Sequence, residues 1–350
     1  MSWKRTFVFA FTAQFLGIVG LSFAIPFLPF FVAELGVREG GRQAFSAKRA
    51  SSRRRGRAGF SLNRKRNCEG SHVRVTIPPM RVAVVQNAAG DSVPQTLARL
   101  ESWLDTIGPS DLIVLPEVFA LRGSHDDYRR AAESLGGPLT CWLADRARQL
   151  GSWLLGGSLI ERGADGRLYN TAVLVDRAGH VRATYRKIHL FEATLDDGRV
   201  IREAEIYAHG DEPVLVVIEG WRSGLSICYD LRFPELYRRY AADGAELLLI
   251  PSNFTQNTGR AHWETLVRAR AIENQCFVVA ANQCGKNSAT GVASYGHSLI
   301  VGPWGEILAE AGDEETVIVA TLERPHLEQV RARVPVGRHR RLREIGKDPR

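Results

Sequence analysis

Residues 223–240 read SGLSICYDLRFPELYRRY, and this stretch decides the fold class. Its first five residues, SGLSI, are predicted as a short strand, and residues 233–243 have the pattern of a helix. Cys228 stands at the turn between the two. A sharp turn from strand to helix is typical of layered α/β proteins, in which catalytic groups collect where strands end. The stretch therefore favours a layered α/β fold with Cys228 as a candidate functional residue.

The rest of the chain from Met80 onward also alternates strands with helices. Strands are predicted at 81–86, 112–115, 153–160, 170–176, 181–186, 213–218, 223–227, 246–250, 276–281, 297–301 and 316–321. Helices are predicted at 92–107, 139–150, 233–243, 261–274 and 325–333. Mixed strands with helices on the outside favour a layered α/β architecture.

The charge of the chain is unevenly distributed. The net charge is +8 at pH 7, but residues 38–76 alone hold twelve Lys and Arg against Glu39 and Glu69. Residues 1–37 add a net +1, which leaves residues 77–350 at −3. That part of the chain gives no reason to expect a nucleic-acid partner. The five cysteines form no CxxC pair, so reduced thiols in the cytoplasm are expected rather than disulfides or a structural zinc site.

Residues 7–33 contain no charged side chain. The run is longer than the roughly 20 residues that are needed to cross a hydrocarbon core. It predicts a membrane span, or a fragment of one, within a first segment of residues 1–37, and a buried core helix is the alternative. GIVG at 17–20 and PFLP at 26–29 resemble the first helix of a major facilitator transporter, although one span cannot form a transporter.

Residues 38–79 form a second segment, which is rich in Arg, Ser and Gly up to residue 76. This composition buries too little apolar surface to offset the entropy of ordering, so a disordered basic linker is predicted. Beside a membrane span it would be an electrostatic tether that keeps the rest of the chain in the cytoplasm. Two alternatives stay open: a nuclear or nucleic-acid signal, and a leader that arose by gene fusion or from a misplaced start codon before Met80.

Three predicted strand ends carry side chains that suit catalysis. Cys228 lies near a positive helix terminus, which favours the reactive thiolate. Glu117 ends the strand DLIVLP at the edge of the core, where a carboxylate can act as a base. Lys187 ends the strand ATYRK, where a partly buried ammonium needs a carboxylate partner. Each residue also has an ordinary structural interpretation, as a buried thiol, a capping carboxylate or a surface ion pair, and no local rule links the three.

A family resemblance connects them. LPEVF at 115–119, YRKIHLF at 185–191 and CYDLRFPEL at 228–236 resemble, in order and spacing, the three catalytic signatures of the nitrilase, or carbon–nitrogen hydrolase, superfamily. The blocks at 258–285 and 294–308 resemble its branch of small amidases, which includes deaminated glutathione amidases and ω-amidases.

The similarity runs over residues 80–342 and leaves 343–350 as a tail. It implies a four-layer α-β-β-α sandwich, preceded here by the apolar helix and the basic linker, and it implies a homodimer. It also implies an enzyme that hydrolyses the amide of a small carboxylate-bearing molecule to an acid and ammonia, through a cysteine thioester. No metal ion and no organic cofactor are expected.

The resemblance further implies a Glu–Lys–Cys triad. By motif, Glu117 is the general base, Lys187 stabilises the oxyanion and Cys228 is the nucleophile. A further family Glu lies sixteen residues after the lysine, which is Glu203 here, although Ala204 stands where the family often has Ser.

Five residues are expected to contact the substrate, namely Tyr229, Arg232, Asn253, Phe254 and Thr255. Arg232 would bind the substrate carboxylate by paired hydrogen bonds, unless it forms an ion pair with Glu235 or Asp230. The backbone amide of Tyr229 would help to hold the oxyanion. The block SNFT is most similar to that of deaminated glutathione amidases, with ω-amidases that act on 2-oxoglutaramate as the near alternative. Asn253 stands where many relatives have Ala.

Two other functions stay open. A Cys–His hydrolase would use His189, His262 or His297 as its base. A membrane-tethered binding module would have an inert pocket and would depend on residues 1–76.

Overall fold

The computed structural model describes residues 77–194, 198 and 200–342. The predicted apolar helix at 7–33, the linker up to residue 76 and the tail at 343–350 lie outside the described residues. No helix in the described part of the chain is long and apolar enough to cross a membrane.

Two six-stranded sheets and a small hairpin make up the β-structure. The first sheet has the order β14-β1-β2-β3-β4-β5, the second has the order β13-β12-β11-β10-β9-β8, and β6 pairs with β7. The strands are β1 (Met80–Gln86), β2 (Leu112–Val114), β3 (Trp153–Arg162), β4 (Leu168–Val175), β5 (Val181–Arg186), β6 (Glu192–Thr194), β7 (Val200–Arg202), β8 (Val214–Ile218), β9 (Trp221–Leu225), β10 (Leu247–Leu249), β11 (Phe277–Ala280), β12 (Leu299–Val301), β13 (Ile307–Glu310) and β14 (Thr316–Leu322).

The helices of the described residues follow ordinary start and stop rules. They are α1 (Val93–Leu104), α2 (His125–Ala131), α3 (Pro138–Leu150), α4 (Pro234–Ala242), α5 (Gln256–Asn274), α6 (Arg324–Arg333) and α7 (Val336–His339). In α3, for example, Pro138 opens the first turn and Gly151 ends the helix in the left-handed conformation, at φ 59°.

Alternating side chains divide the first sheet between two cores. In β1, Val82 and Val84 belong to the buried cluster that contains the second sheet, whereas Ala83 and Val85 belong to the cluster that contains α1 and α3. On the second sheet, Trp263 of α5 packs into the first of these clusters. The layers are therefore helix, sheet, sheet, helix, as predicted.

The parallel part of each sheet places the site. β1, β2 and β3 are parallel neighbours in the first sheet, and β9, β10 and β11 are parallel neighbours in the second. β5 runs in the same direction as β3, because each is antiparallel to β4. The carboxyl ends of β2 and β5 therefore lie at one edge, and the segments after them carry Glu117 and Lys187.

Five elements of the described residues were not predicted, namely β6, β7, β13, α2 and the four-residue helix α7. β6, β7 and β13 have only three or four residues each, and their exposed or charged side chains give no clear alternation. α2 does have a sequence signal, a capping box in which Ser124 and Asp127 satisfy each other's backbone N–H groups.

Candidate active site

Glu117 is held by a tightly fixed loop after β2. The next residue, Val118, has the left-handed φ of 47°, and its N–H donates to Ser158 Oγ at 2.8 Å. Gln283 Nε2 donates to the Glu117 carbonyl at 3.0 Å. Gly157 lies so close to this loop that a Cβ there would be 1.7 Å from the Pro116 carbonyl oxygen. Several contacts therefore hold this strained loop in place, as is common at functional sites.

Lys187 is fully buried between two carboxylates. Its Nζ donates to Glu117 Oε1 at 2.8 Å and to the Glu203 carboxylate at 2.9 Å. Burial alone would lower the pKa of Lys187, but the charges of Glu117 and Glu203 outweigh it and hold this pKa well above its usual value. Lys187 is therefore a permanent ammonium, and the predicted carboxylate partner is in fact a pair.

Glu203 is fixed from the backbone as well as from the ammonium. It begins a 3₁₀ turn, Glu203–Glu205, and its Oε2 accepts from the Phe191 N–H at 2.7 Å. Burial raises the pKa of Glu203, against the effect of Lys187. The anchoring N–H of Phe191 shows that Ala204, in place of the Ser often found in the family, does not leave Glu203 unsupported.

Cys228 lies at the strained turn after β9, with φ 47° and its N–H donating to the Pro251 carbonyl at 2.9 Å. It begins a 3₁₀ turn, Cys228–Arg232, and α4 starts only at Pro234. Burial, with the negative charge of Glu117, raises the pKa of the Cys228 thiol well above its usual value, although Lys187 and the Asn253 N–H act against this. The expectation of a thiolate favoured by a helix terminus was therefore wrong, because burial dominates.

One cavity of about 290 Å³ brings these groups together. Glu117, Glu203 and Cys228 line it. Lys187 is not a lining residue, but it donates to both carboxylates. The cavity lining also includes all five predicted substrate contacts, which are Tyr229, Arg232, Asn253, Phe254 and Thr255. A carboxylate base, a buried cation and a thiol that share one cavity form a site suited to attack on a carbonyl carbon.

Arg232 faces the cavity from the side of the aromatic residues. Its guanidinium lies over the rings of Phe254 and Tyr229, at 5.4 and 5.8 Å, and both terminal nitrogens are 3.4 Å from His262 Nδ1. The salt bridges of the described residues include none from Arg232 to Glu235 or Asp230. The structural alternative for Arg232 was therefore wrong.

The three histidines of the Cys–His alternative have other partners. His189 Nδ1 lies 2.7 Å from Asp230, His262 contacts Arg232, and the His297 ring lies beside Asp313 and Tyr295. None of the three lines the cavity within the described residues.

Sequence reasoning missed many residues of the cavity, among them the polar residues Arg122, Asn170, Tyr207 and Ser294. Asn170 Nδ2 donates at 2.8 Å to Glu117 Oε1, the same oxygen that accepts from Lys187, and so helps to fix the carboxylate. The presence of an Asn in the otherwise mainly apolar strand LYNTAVLV could have indicated a functional residue. Among the described residues, the buried Tyr207 hydroxyl has no hydrogen-bond partner in the protein.

The fold is a layered α-β-β-α sandwich, and one cavity in it is lined by the carboxylates of Glu117 and Glu203 and by the Cys228 thiol. Residues 81–332 match the family model described as carbon-nitrogen hydrolase. The chain therefore belongs to the carbon–nitrogen hydrolase family, and the predicted family and enzyme class are confirmed.

Relatives with assigned activities are similar over most of this region. The chain is 36% identical over 267 residues to the deaminated glutathione amidase of Yersinia enterocolitica, which covers 75% of this chain and 93% of that protein. It is 40% identical to the chloroplastic omega-amidase of Arabidopsis thaliana, over 66% of this chain and 63% of that protein. A solved structure, a mutant of the amidase from Nesterenkonia sp. AN1 with acrylamide added to its active-site cysteine, is similar with a TM-score of 0.60 and 28% identity, over 73% of this chain and 98% of that one.

Proposed function

We propose that this enzyme hydrolyses the amide of a small carboxylate-bearing substrate of the deaminated glutathione type, with Cys228 as the nucleophile. The observation that carries the proposal is the Lys187 ammonium held between Glu117 and Glu203, two carboxylates that line the same cavity as the Cys228 thiol. A site built only for binding has no need of a buried cation and two carboxylates beside a strained cysteine.

The first half of the reaction forms a thioester. Because the thiol pKa is raised, Cys228 is protonated at rest, and Glu117 takes its proton as the sulfur attacks the amide carbon. Lys187 and the Tyr229 N–H stabilise the negative oxygen that develops. Glu117 then passes the proton to the leaving nitrogen, the carbon–nitrogen bond breaks, and ammonia or an amine departs.

The second half releases the acid. Glu117 takes a proton from a water molecule, which attacks the thioester carbon, and the same two groups stabilise the oxyanion again. The carbon–sulfur bond breaks, and the proton returns to the sulfur of Cys228. Glu203 keeps Lys187 charged and aimed throughout, since it binds the ammonium but is itself held by the Phe191 N–H.

The substrate carboxylate would meet Arg232. A guanidinium that is not in a salt bridge within the described residues, and that lies over Phe254 and Tyr229, is placed to form paired hydrogen bonds with an anion. The similarity to the Yersinia enterocolitica enzyme favours deaminated glutathione. The similarity to the Arabidopsis thaliana enzyme favours a second candidate activity, that of an ω-amidase on 2-oxoglutaramate.

A product screen tests the proposal. The full chain is incubated with deaminated glutathione, 2-oxoglutaramate, 2-oxosuccinamate and propionamide, and both ammonia and free amine are measured, because deaminated glutathione carries a substituted amide. We expect turnover of at least one carboxylate-bearing amide and a thioester mass on Cys228. Absence of turnover on all four substrates would contradict the proposal and favour a binding module.

A single substitution separates the triad from a Cys–His pair. Glu117→Gln should abolish turnover, whereas a Cys–His hydrolase should largely survive it. Glu235→Gln, on an exposed position of α4, is the matched control.

Two further predictions concern assembly and location. The homodimer rests on the family resemblance, and light scattering of the purified chain tests it. The cytoplasmic location, and the membrane tether through residues 7–33, are tested by fractionation of cells that express the full chain and a chain that starts at Met80. If the shorter chain also folds and turns over substrate, the first 79 residues are dispensable for catalysis.

A further inference from the structure

Arg122 is a buried cation of the cavity that the mechanism above does not use. It is 1% exposed, its Nε donates to the Ala89 carbonyl at 3.0 Å, and its Nη1 donates to Ser294 Oγ at 2.6 Å. Within the described residues no carboxylate forms a salt bridge with Arg122. Glu315, whose charge acts on Arg122, pairs instead with Arg99 at 3.3 Å.

The hydrogen bonds of Arg122 fix the direction of a short relay. A guanidinium can only donate, so Ser294 Oγ must accept from it. The Ser294 proton is then directed to Asn253 Oδ1, which is 2.6 Å away. In this orientation of the Asn253 carboxamide, its oxygen accepts from Ser294 and its Nδ2 remains to donate elsewhere.

Asn253 belongs to the wall of the cavity. Asn253 lines it beside Cys228, and the Asn253 backbone N–H also acts on the Cys228 thiol. Among the described residues, no acceptor for Asn253 Nδ2 is present in the protein. The wall therefore offers a donor that is backed by a positive charge. Such a wall suits an oxygen of the substrate and disfavours an ammonium group, since an ammonium group brings further donors and a like charge.

We propose that Arg122 is a positioning residue that acts through Ser294 to aim Asn253 Nδ2 at an oxygen acceptor of the substrate, so that the site selects an amide with an oxo group over the same amide with an amino group. This inference rests on the proposed function and adds to it the group that distinguishes one carboxylate-bearing amide from another. Arg122 itself need not touch the substrate.

Three substrates of one carbon skeleton isolate the effect. 2-Oxoglutaramate carries the oxo group, glutaramate lacks it, and glutamine carries an ammonium group in its place. We expect Arg122→Met and Ser294→Ala each to lower kcat/KM for 2-oxoglutaramate roughly tenfold, mainly through KM, with little effect on glutaramate. Asn253→Asp should go further and raise the relative rate on glutamine, because a carboxylate accepts from an ammonium group.

Two variants show that the effect runs through the relay. Arg122→Lys keeps a donor cation and should retain most of the preference for the oxo group. In an Asn253→Ala background, Arg122→Met should cost little further selectivity, because the group that it positions is gone. Arg146→Met, which removes a partly buried arginine outside the cavity, is the matched control.

The outcomes separate this inference from the proposed function. Equal losses on 2-oxoglutaramate and glutaramate in Arg122→Met and Ser294→Ala, or no loss on either, would overturn the relay and leave the amidase proposal intact. If wild-type enzyme hydrolyses no amide at all, both proposals fall. Should Arg122→Met fail to fold, Ser294→Ala and Asn253→Asp decide by the same comparison.

Discussion

Lys187 and Arg122 are two buried cations beside the same cavity, and they differ in the charge of their hydrogen-bond partners. Lys187 contacts two carboxylates, and their charges hold its pKa well above the usual value. Arg122 has a serine hydroxyl and a backbone carbonyl as its acceptors, and burial lowers its pKa, although a guanidinium stays protonated at neutral pH. Burial alone therefore does not determine the role of a cation. In the proposed mechanism Lys187 stabilises the reacting oxygen, whereas in the proposed relay Arg122 orients the neutral groups of Ser294 and Asn253.

The largest effect is expected from removal of the paired cation. Lys187→Met leaves Glu117 and Glu203 buried together without a counter-charge, which should lower the free energy of unfolding by about 3–5 kcal/mol and abolish turnover. Urea unfolding of the full chain measures the loss. Lys286→Met, at an exposed lysine, is the control.

The same variant has a predicted pH dependence. Without the ammonium, the raised pKa of Glu203 rises further, so the folded state binds a proton more tightly than the unfolded chain does. Stability from such a group is present below the unfolded pKa and is lost as the pH rises through the folded pKa. The deficit of Lys187→Met should therefore shrink on acidification. A deficit that is below about 1 kcal/mol, or that grows on acidification, would contradict the assignment of Lys187 as a structurally paired cation.

The second-largest effect is expected when Lys187 keeps its charge but loses one of the two carboxylates that position it. In Glu203→Gln, Lys187 keeps only Glu117 as a charged partner and is drawn toward the base, so kcat should fall roughly 10–100-fold with little change in KM. Steady-state kinetics on the preferred amide measure this. Glu205→Gln, on the exposed end of the same 3₁₀ turn, should leave kcat near wild type. Equal losses in the two variants would show that the turn, and not its carboxylate, matters.

The pH dependence of Cys228 alkylation should respond differently to the removal of each cation. Because its pKa is raised well above 9, the rate of carboxamidomethylation should still increase above that pH, as followed by mass spectrometry of the Cys228 peptide. Lys187 lowers this pKa, so Lys187→Met should move the profile further up. Arg122 is not among the main groups that shift it, so Arg122→Met should move the profile much less than Lys187→Met does. A plateau near neutral pH in the wild type would mean a resting thiolate and a different first step.

Much of this arrangement could be predicted from the sequence, because each catalytic motif lies at the end of a predicted strand. Glu117 and Cys228 each follow a mostly buried strand, and the pattern of apolar residues locates such strands well, whereas β5 before Lys187 is largely exposed or half-buried. Their convergence could not be derived from local rules, since the residues lie far apart in the chain. It came from the family resemblance, and the structure supports it through one cavity.

The relay escaped prediction for a physical reason. Arg122 lies in an irregular segment between β2 and α2, and Ser294 lies in another, between β11 and β12. Their contact depends on how two loops pack, for which sequence carries no periodic signal. Asn253 was predicted as a substrate contact, but the direction of its carboxamide follows only from the partners of its oxygen.

The smallest effect should come from removal of the cation without carboxylates. Arg122→Met loses hydrogen bonds to Ala89 and Ser294, each of which stabilises a protein by only about 1 kcal/mol net. It also removes the cost of keeping a charge out of water, so we expect the free energy of unfolding to change by no more than about 1 kcal/mol in either direction. Urea unfolding beside Lys187→Met gives the direct contrast. A loss as large as that of Lys187→Met would mean that Arg122 holds the fold together, and its effect on selectivity could then no longer be assigned to Asn253.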